Sequence, residues 1–174
     1  MIISCCDSRV HATSIFGADP GEFFVHRNIA NLVPPYAPDG DYHGTSAAVE
    51  YAVNVLKVAH IVVLGHSRCG GVQGCIDMCE GRAPALEEKT SFVGRWMDIL
   101  RPKFSQVADI PVMEDKAQQL EQLAIITSIE NLMSFPFVEA RVDDGSLGIH
   151  GLWTDIAEGG MKQFNSKTQD FQPV

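Results

Sequence analysis

No apolar run in the 174-residue sequence exceeds four residues, Ile61-Val62-Val63-Leu64 being typical. A helix crossing a bilayer needs about 20, so no membrane span is expected. The opening Met1-Ile2-Ile3-Ser4 lacks the charged start and apolar stretch of a signal peptide, and a cytoplasmic chain is expected. Positive charge is scarce: 13 lysines and arginines stand against 22 aspartates and glutamates, a formal net charge of −9. Such a surface repels phosphate backbones and anionic lipid, which excludes nucleic acid and membranes as expected partners. The five cysteines, Cys5, Cys6, Cys69, Cys75 and Cys79, form an odd set in a chain without an export signal. That argues against a disulfide framework and leaves thiol chemistry or metal binding. Internal repeats and Gly/Ser or charged linkers are also missing, so residues 1–174 read as one domain.

With 45% hydrophobic residues the chain can build a sizeable core. Strands are expected at Met1–Ser4, Glu22–Arg27 and His60–Gly65, the last β-branched and suited to burial on both faces. Ala48, Tyr51, Ala52 and Val55 recur at helical spacing, which predicts a helix over Gly44–Lys57. Further helices are expected from Gly71 through Cys79, around Glu87–Leu100 and over Glu114–Met133. A strand at Leu147–Gly151 and an antiparallel edge strand within Trp153–Phe164 complete the pattern. Alternating strands and helices describe an α/β fold, a mostly parallel central β-sheet flanked by helices, with an antiparallel edge strand near the C-terminus. In such sheets ligands sit at the carboxyl ends of the strands.

Chemistry-bearing residues fall at that edge. Cys5-Cys6-Asp7-Ser8-Arg9 follows the first strand, His26-Arg27-Asn28 ends the second, and His66-Ser67-Arg68-Cys69-Gly70-Gly71 follows the third. His66-x-x-Cys69 has the spacing with which one loop wraps two ligands around zinc, and a distant cysteine would supply a third. Taken alone, the pair also fits a hydrogen-bonded structural histidine and a buried thiol. Alternation along an extended segment places Cys5, Asp7 and Arg9 on one side and turns Cys6 toward the core. Cys75 and Cys79, four apart on a helix, read as packing residues.

Three segments in order, Cys5-Cys6-Asp7-Ser8-Arg9-Val10, Phe24-Val25-His26-Arg27-Asn28-Ile29-Ala30-Asn31 and Gly65-His66-Ser67-Arg68-Cys69-Gly70-Gly71, resemble the successive signatures of the β-class carbonic anhydrases, in their plant-like form. The resemblance implies a Zn2+ ion held by Cys5, His66 and Cys69, with Asp7 and Arg9 as the catalytic dyad. It implies reversible hydration of carbon dioxide to bicarbonate and a proton by zinc-bound hydroxide that the dyad orients. Asp7 is also implied as a conditional zinc ligand, in a closed state only. Phe24 and Tyr51 are implied as lining the substrate pocket, and Arg27 as buttressing the site or an interface; Gly70 and Gly71 are expected at the pocket because they allow close backbone approach at the start of a helix, where amides meet developing negative charge.

The resemblance further implies a homodimer or higher homo-oligomer. Family members carry helices ahead of the first zinc cysteine that wrap a neighbouring subunit, so a chain lacking this N-terminal arm and a weakened interface are expected. A bicarbonate-regulatory pocket built from a tryptophan, an arginine and a tyrosine in some members has Ile2 and Thr154 at two of its positions here. Only Arg27 remains, and regulation of that kind is not expected. Two rival readings are a carbon disulfide or carbonyl sulfide hydrolase of the same family and a non-catalytic zinc-binding module. Asp7 and Arg9 weigh against the second, since neither is needed merely to hold zinc.

Overall fold

The structure, a computed structural model, describes residues 1–40 and 43–174. Within them one sheet of six strands runs in the order β2-β1-β3-β4-β5-β6: β1 (Ile2–Cys5), β2 (Val25–Asn28), β3 (His60–His66), β4 (Gly148–Thr154), β5 (Met161–Asn165) and β6 (Asp170–Pro173). The first four are mutually parallel, and β5 and β6 are antiparallel additions. Helices are α1 (Ala12–Phe16), α2 (Gly44–Glu50), α3 (Gly70–Cys79), α4 (Phe92–Met97), α5 (Met113–Met133) and α6 (Pro136–Asp143). The expected α/β class is present, and among the described residues no single helix is long and apolar enough to cross a membrane.

Several local expectations need correction. The helix from Gly44 keeps regular geometry only to Glu50 and then widens into a π turn over Tyr51–Val55. The helix expected around Glu87–Leu100 is broken into a short 3-10 turn at Pro84–Glu87, α4, and another 3-10 turn at Arg101–Gln106. Ser91 forces that break. Its Oγ accepts from the Gly94 amide and restarts the helix as a cap, while a β-carbon at Gly94 would collide with the Leu86 carbonyl. Trp153 belongs to the parallel strand β4, paired with Gly65, so the antiparallel strand begins only at Met161. Strand β6 carries little signal in the sequence, because Asp170–Pro173 is short and mostly polar and is set by pairing with β5.

The central strands β1 and β3 are covered by apolar layers on both faces. Ile3, Ile61 and Val63 pack with Ile125 of α5 and with Trp153 in one cluster, and Ile2 and Leu64 pack with Val10 and Ala12 in another. Helix α5 lies unusually close to the sheet. A β-carbon at Gly65 would stand 2.7 Å from Ile125 Cδ1, and one at Gly151 would stand 2.7 Å from Ile125 Cγ2. Ile125 therefore seats into a notch made by two glycines on adjacent strands, which fixes the helix against the carboxyl end of β3.

Candidate metal centre

Register brings the site together. Residues Ile2, Ile3 and Ser4 of β1 pair with Val62, Val63 and Leu64 of β3, so the two chains leave the sheet side by side at Cys5 and at His66. Cys69 precedes α3 three residues later. The ligand atoms of Cys5, His66 and Cys69 all lie within 4.8 Å of one another, the two sulfurs are 4.0 Å apart, and all three residues are buried.

The donor set fits zinc. His66 Nδ1 lies 2.8 Å from the Ser67 carbonyl oxygen, an acceptor that requires the proton on Nδ1. This leaves Nε2 with a free lone pair, and Nε2 is buried without a hydrogen-bond partner. Leaving such a group unpaired costs about 1–3 kcal/mol, so the atom fits a metal ligand better than a core histidine. Two thiols and an imidazole also match catalytic zinc sites, which use three protein ligands and keep a fourth position open.

Electrostatics around the three donors are strongly coupled. Without an ion, the Cys5 thiol is drawn down to about 4, chiefly by its hydrogen bond with Cys69. The same contact, together with burial, pushes Cys69 far up, so one proton is retained between the two sulfurs. Amides of Gly71 and Val72 at the start of α3 point at Cys69 and favour its anionic form. For His66, burial pulls the pKa down, but the neighbouring charge of Cys5 and the Ser67 carbonyl outweigh it, and the net shift is upward.

Asp7 and Arg9 meet by a different route from strand alternation. β1 ends at Cys5, and the chain turns through Asp7–Val10, with the Val10 amide donating to the Asp7 carbonyl. Within this turn the Arg9 amide and Nε both donate to Asp7 Oδ1 at 2.9 Å, and Nη2 donates to Oδ2 at 2.6 Å. This fork holds the Asp7 carboxyl well below the usual carboxylate range. Arg9 Nη2 also donates to the Arg68 carbonyl at 3.2 Å, tying the first ligand loop to the second. Arg68 itself has φ +57°, the turn that swings Cys69 back toward Cys5.

Arg27 on β2 braces the same loop from behind. Its Nε donates to the Cys5 carbonyl at 3.0 Å, and its Nη2 donates to the Asp7 and Val10 carbonyls at 2.7 and 2.8 Å. Cys6, expected in the core, is instead exposed and borders an apolar hollow with His26, Ile29, Phe92 and Trp96. The strand has already ended at Cys5, and among the described residues no packed layer buries the Cys6 side chain.

The remaining pocket candidates divide. Gly70 opens α3 and borders a cavity of about 590 Å³ beside Cys69, with Arg68, Glu121, Trp153 and Asp155 on its walls. Gly71 faces elsewhere: a β-carbon there would meet Ile29 Cγ2 at 2.7 Å, so its smallness allows α3 to approach the Ile29–Asn31 turn. Phe24 and Tyr51 stack on each other with ring centroids 5.8 Å apart. They stand at the entering end of β1 and β2, where the Ile2 amide donates to the Phe24 carbonyl, and are not brought to the cysteines within this chain. His26, the second residue of β2 and paired with Ile3, turns to Thr45 Oγ1 at 3.0 Å. Cys75 is buried in the core and Cys79 half-buried beside it.

One residue of the centre has no counterpart among the sequence candidates. Glu121 on α5 is 3% exposed, and its carboxylate accepts from the Cys69 amide and from Trp153 Nε1, each at 3.0 Å. Burial raises its pKa, against the pull of those two donors. A carboxylate under a metal-binding loop orients the ligand without touching the ion. The signal was present in the sequence. Glu121 shares the helical face of Leu120, Ala124, Ile125 and Ser128, where an acid is out of place unless it has partners.

Comparison with known proteins agrees with this geometry. The carbonic anhydrase family profile matches residues 1–161. Beta carbonic anhydrase 3 of Arabidopsis thaliana is 39% identical over 163 residues, covering 91% of this chain and 61% of its own length. Beta carbonic anhydrase 5, chloroplastic, of the same plant is also 39% identical, over 87% of this chain and 49% of its own length. The chain thus spans about half to three fifths of the curated relatives it matches. Among solved structures, the β-carbonic anhydrase CcaA superposes with a TM-score of 0.88 at 31% identity, over 99% of this chain and 82% of that one. Tetrameric β-carbonic anhydrases of the ascomycete Sordaria macrospora reach 0.77 at 32% identity, over 94% and 79%. With its profile match, its superposition and its buried Cys–His–Cys group in agreement, the chain belongs to the β-class carbonic anhydrase family.

Proposed function

We propose that the chain catalyses the reversible hydration of carbon dioxide to bicarbonate and a proton, with Zn2+ held by Cys5, His66 and Cys69. The observation that carries this reading is the buried, unpartnered His66 Nε2 facing two cysteines, beside a carboxylate already clamped by arginine. Zinc bound there would supply a water ligand acidic enough to furnish hydroxide near neutral pH.

The protein's own groups would do the rest. Arg9 keeps Asp7 ionised and fixes both of its oxygens, so Asp7 acts only as an acceptor. An acceptor held in that way would accept a hydrogen bond from the attacking oxygen and so turn one of its lone pairs toward the carbon of carbon dioxide. The same pairing holds Asp7 back from the ligand position it would take in a closed state. Arg27 and Glu121 set the two ligand loops from behind, and the α3 amides favour negative charge at Cys69. Carbon dioxide offers few polar handles, and the chemistry asks for a positioned nucleophile more than for a network of donors.

A homodimer or higher homo-oligomer is part of the proposal. It is supported by the tetrameric Sordaria relatives and by exposed apolar side chains, among them Phe92 at 90% exposure with Val25, Ile29 and Tyr51. Two thiol ligands suit a reducing compartment, and we place the chain in the cytoplasm on that ground. Stopped-flow hydration by the zinc-loaded 174-residue chain tests the activity. Turnover above the uncatalysed rate, lost in Asp7→Ala, is expected; full zinc occupancy without turnover in the unmodified chain would overturn the proposal.

A further inference from the structure

At the other end of β3 two histidines face each other across the sheet. His60 opens β3 and His150 lies on β4, where Gly148 pairs with His60 and His150 with Val62. Paired positions share a face of the sheet, so both imidazoles and the bare position of Gly148 stand on the same side. His60 Nδ1 and His150 Nε2 are 3.1 Å apart, and the rings are tilted by 52° with centroids 5.1 Å apart, so ring edges meet rather than faces.

We infer that His60 and His150 form a second metal site, a two-imidazole chelate for a borderline divalent ion of the Zn2+, Ni2+ or Cu2+ class. Two nitrogens each about 2.0–2.1 Å from one ion are separated by about 2.9 Å at a right angle and about 3.4 Å at the tetrahedral angle. The observed 3.1 Å lies between those limits. Glycine keeps the approach open. A β-carbon at position 148 would stand 2.9 Å from His60 Nδ1 and 3.0 Å from His150 Nε2, on top of both donor atoms.

Charge and accessibility agree with this role. Burial first, and the neighbouring His60 second, lower the His150 pKa from its ordinary value, which favours the neutral imidazole that ligates. In the metal-free pair one ring donates its N–H to the other. To bind an ion, the donor ring moves that proton to its remote nitrogen, and no net proton is released. His60 is exposed and His150 half-buried, so an ion can reach the pair from solvent and complete its coordination with water. Imidazole without carboxylate selects against Mg2+ and Ca2+. β3 separates His60 from His66 by six residues, about 20 Å, so the site is independent of the cysteine centre.

Calorimetric titration of NiCl2 into the zinc-loaded protein, with released zinc followed by a chromophoric chelator, tests the inference. One Ni2+ per chain is expected to bind with zinc retained. Affinity should fall at least about tenfold in His60→Ala, in His150→Ala and in Gly148→Ala, since lost outer partners of metal ligands already cost about 10–100-fold. If Gly148→Ala does not fold, the exposed substitution His60→Asn decides in its place. The inference is overturned if the unmodified protein takes Ni2+ only by displacing zinc or takes none. It is equally overturned if both histidine variants bind as the unmodified protein does.

Discussion

Glu121→Ala isolates the contribution of the buried carboxylate beneath the metal-binding loop. Its two oxygens accept from the Cys69 amide and from the Trp153 indole, each at 3.0 Å, and both donors are buried. Truncation strands both. At about 1–3 kcal/mol for each buried donor left unpaired, the expected loss of folding stability is about 2–6 kcal/mol. Glu121→Gln keeps one oxygen and turns an amide N–H2 toward the other donor, so about half that loss is expected. Because one of the two bonds fixes the backbone of a proposed zinc ligand, zinc affinity should fall with stability, by about 10–100-fold. Urea unfolding of the zinc-loaded proteins reads the first quantity, and competition with a chromophoric chelator reads the second. An alanine variant that unfolds at the unmodified midpoint and holds zinc as tightly would refute the assignment of Glu121 as the residue that positions Cys69. A variant that loses stability but not zinc affinity would confine Glu121 to packing.

Three further outcomes follow from the same geometry. Arg9→Ala should lower the hydration rate on the order of 10²-fold, measured by stopped flow, because Asp7 then loses both the charge that keeps it ionised and the fork that aims it. Gly65→Ala should cost about 1–3 kcal/mol in denaturant unfolding by driving a methyl group into Ile125. Trimming the partner in Gly65→Ala/Ile125→Val should recover part of that loss, and strict additivity would show that the two residues do not compete for space. Asp155 is held below its ordinary pKa chiefly by the Ala157 amide, with Ser67 Oγ also donating to it at 3.0 Å. A carboxylate lowered in the folded state stabilises it above the unfolded pKa of about 3.9, and that stabilisation is lost as pH falls through the folded value. Asp155→Asn should therefore be less stable than the unmodified protein at pH 7, by about 1 kcal/mol, and the difference should close in acid unfolding experiments.

Residues whose role depends on order along the chain were legible in the sequence; residues whose role depends on what lies across a gap were not. Cys5, His66 and Cys69 follow strands whose parallel pairing is a consequence of alternating strand and helix signals, and the structure brings their donor atoms together. The Asp7–Arg9 contact was expected from alternation, yet it arises from a turn, since the strand stops at Cys5. Cys6 shows the same limit. Periodicity tells which way a side chain points, and only the neighbouring layer tells whether that direction is inside. Phe24 and Tyr51 illustrate a third case: both are aromatic and near the motifs in sequence, but a strand's length of about 10 Å separates their end of the sheet from the cysteines. Glu121 needed a helix, a strand and a loop to be placed together before its two hydrogen bonds had any meaning.

The cysteine pair also bears on when the centre can exist. Cys5 and Cys69 are 64 positions apart, and they meet only because β1 and β3 lie edge to edge in the sheet. No short segment of the chain contains all three proposed ligands, so a ribosome-bound chain that ends before His66 presents Cys5 without either of its partners. Closing so long a loop is entropically costly and slow, and it must precede tight metal capture. If zinc takes the proposed site, its tight capture marks a late step of folding, after residues 64 positions apart have found each other. A chain interrupted before Cys69 lacks one of the three proposed ligands.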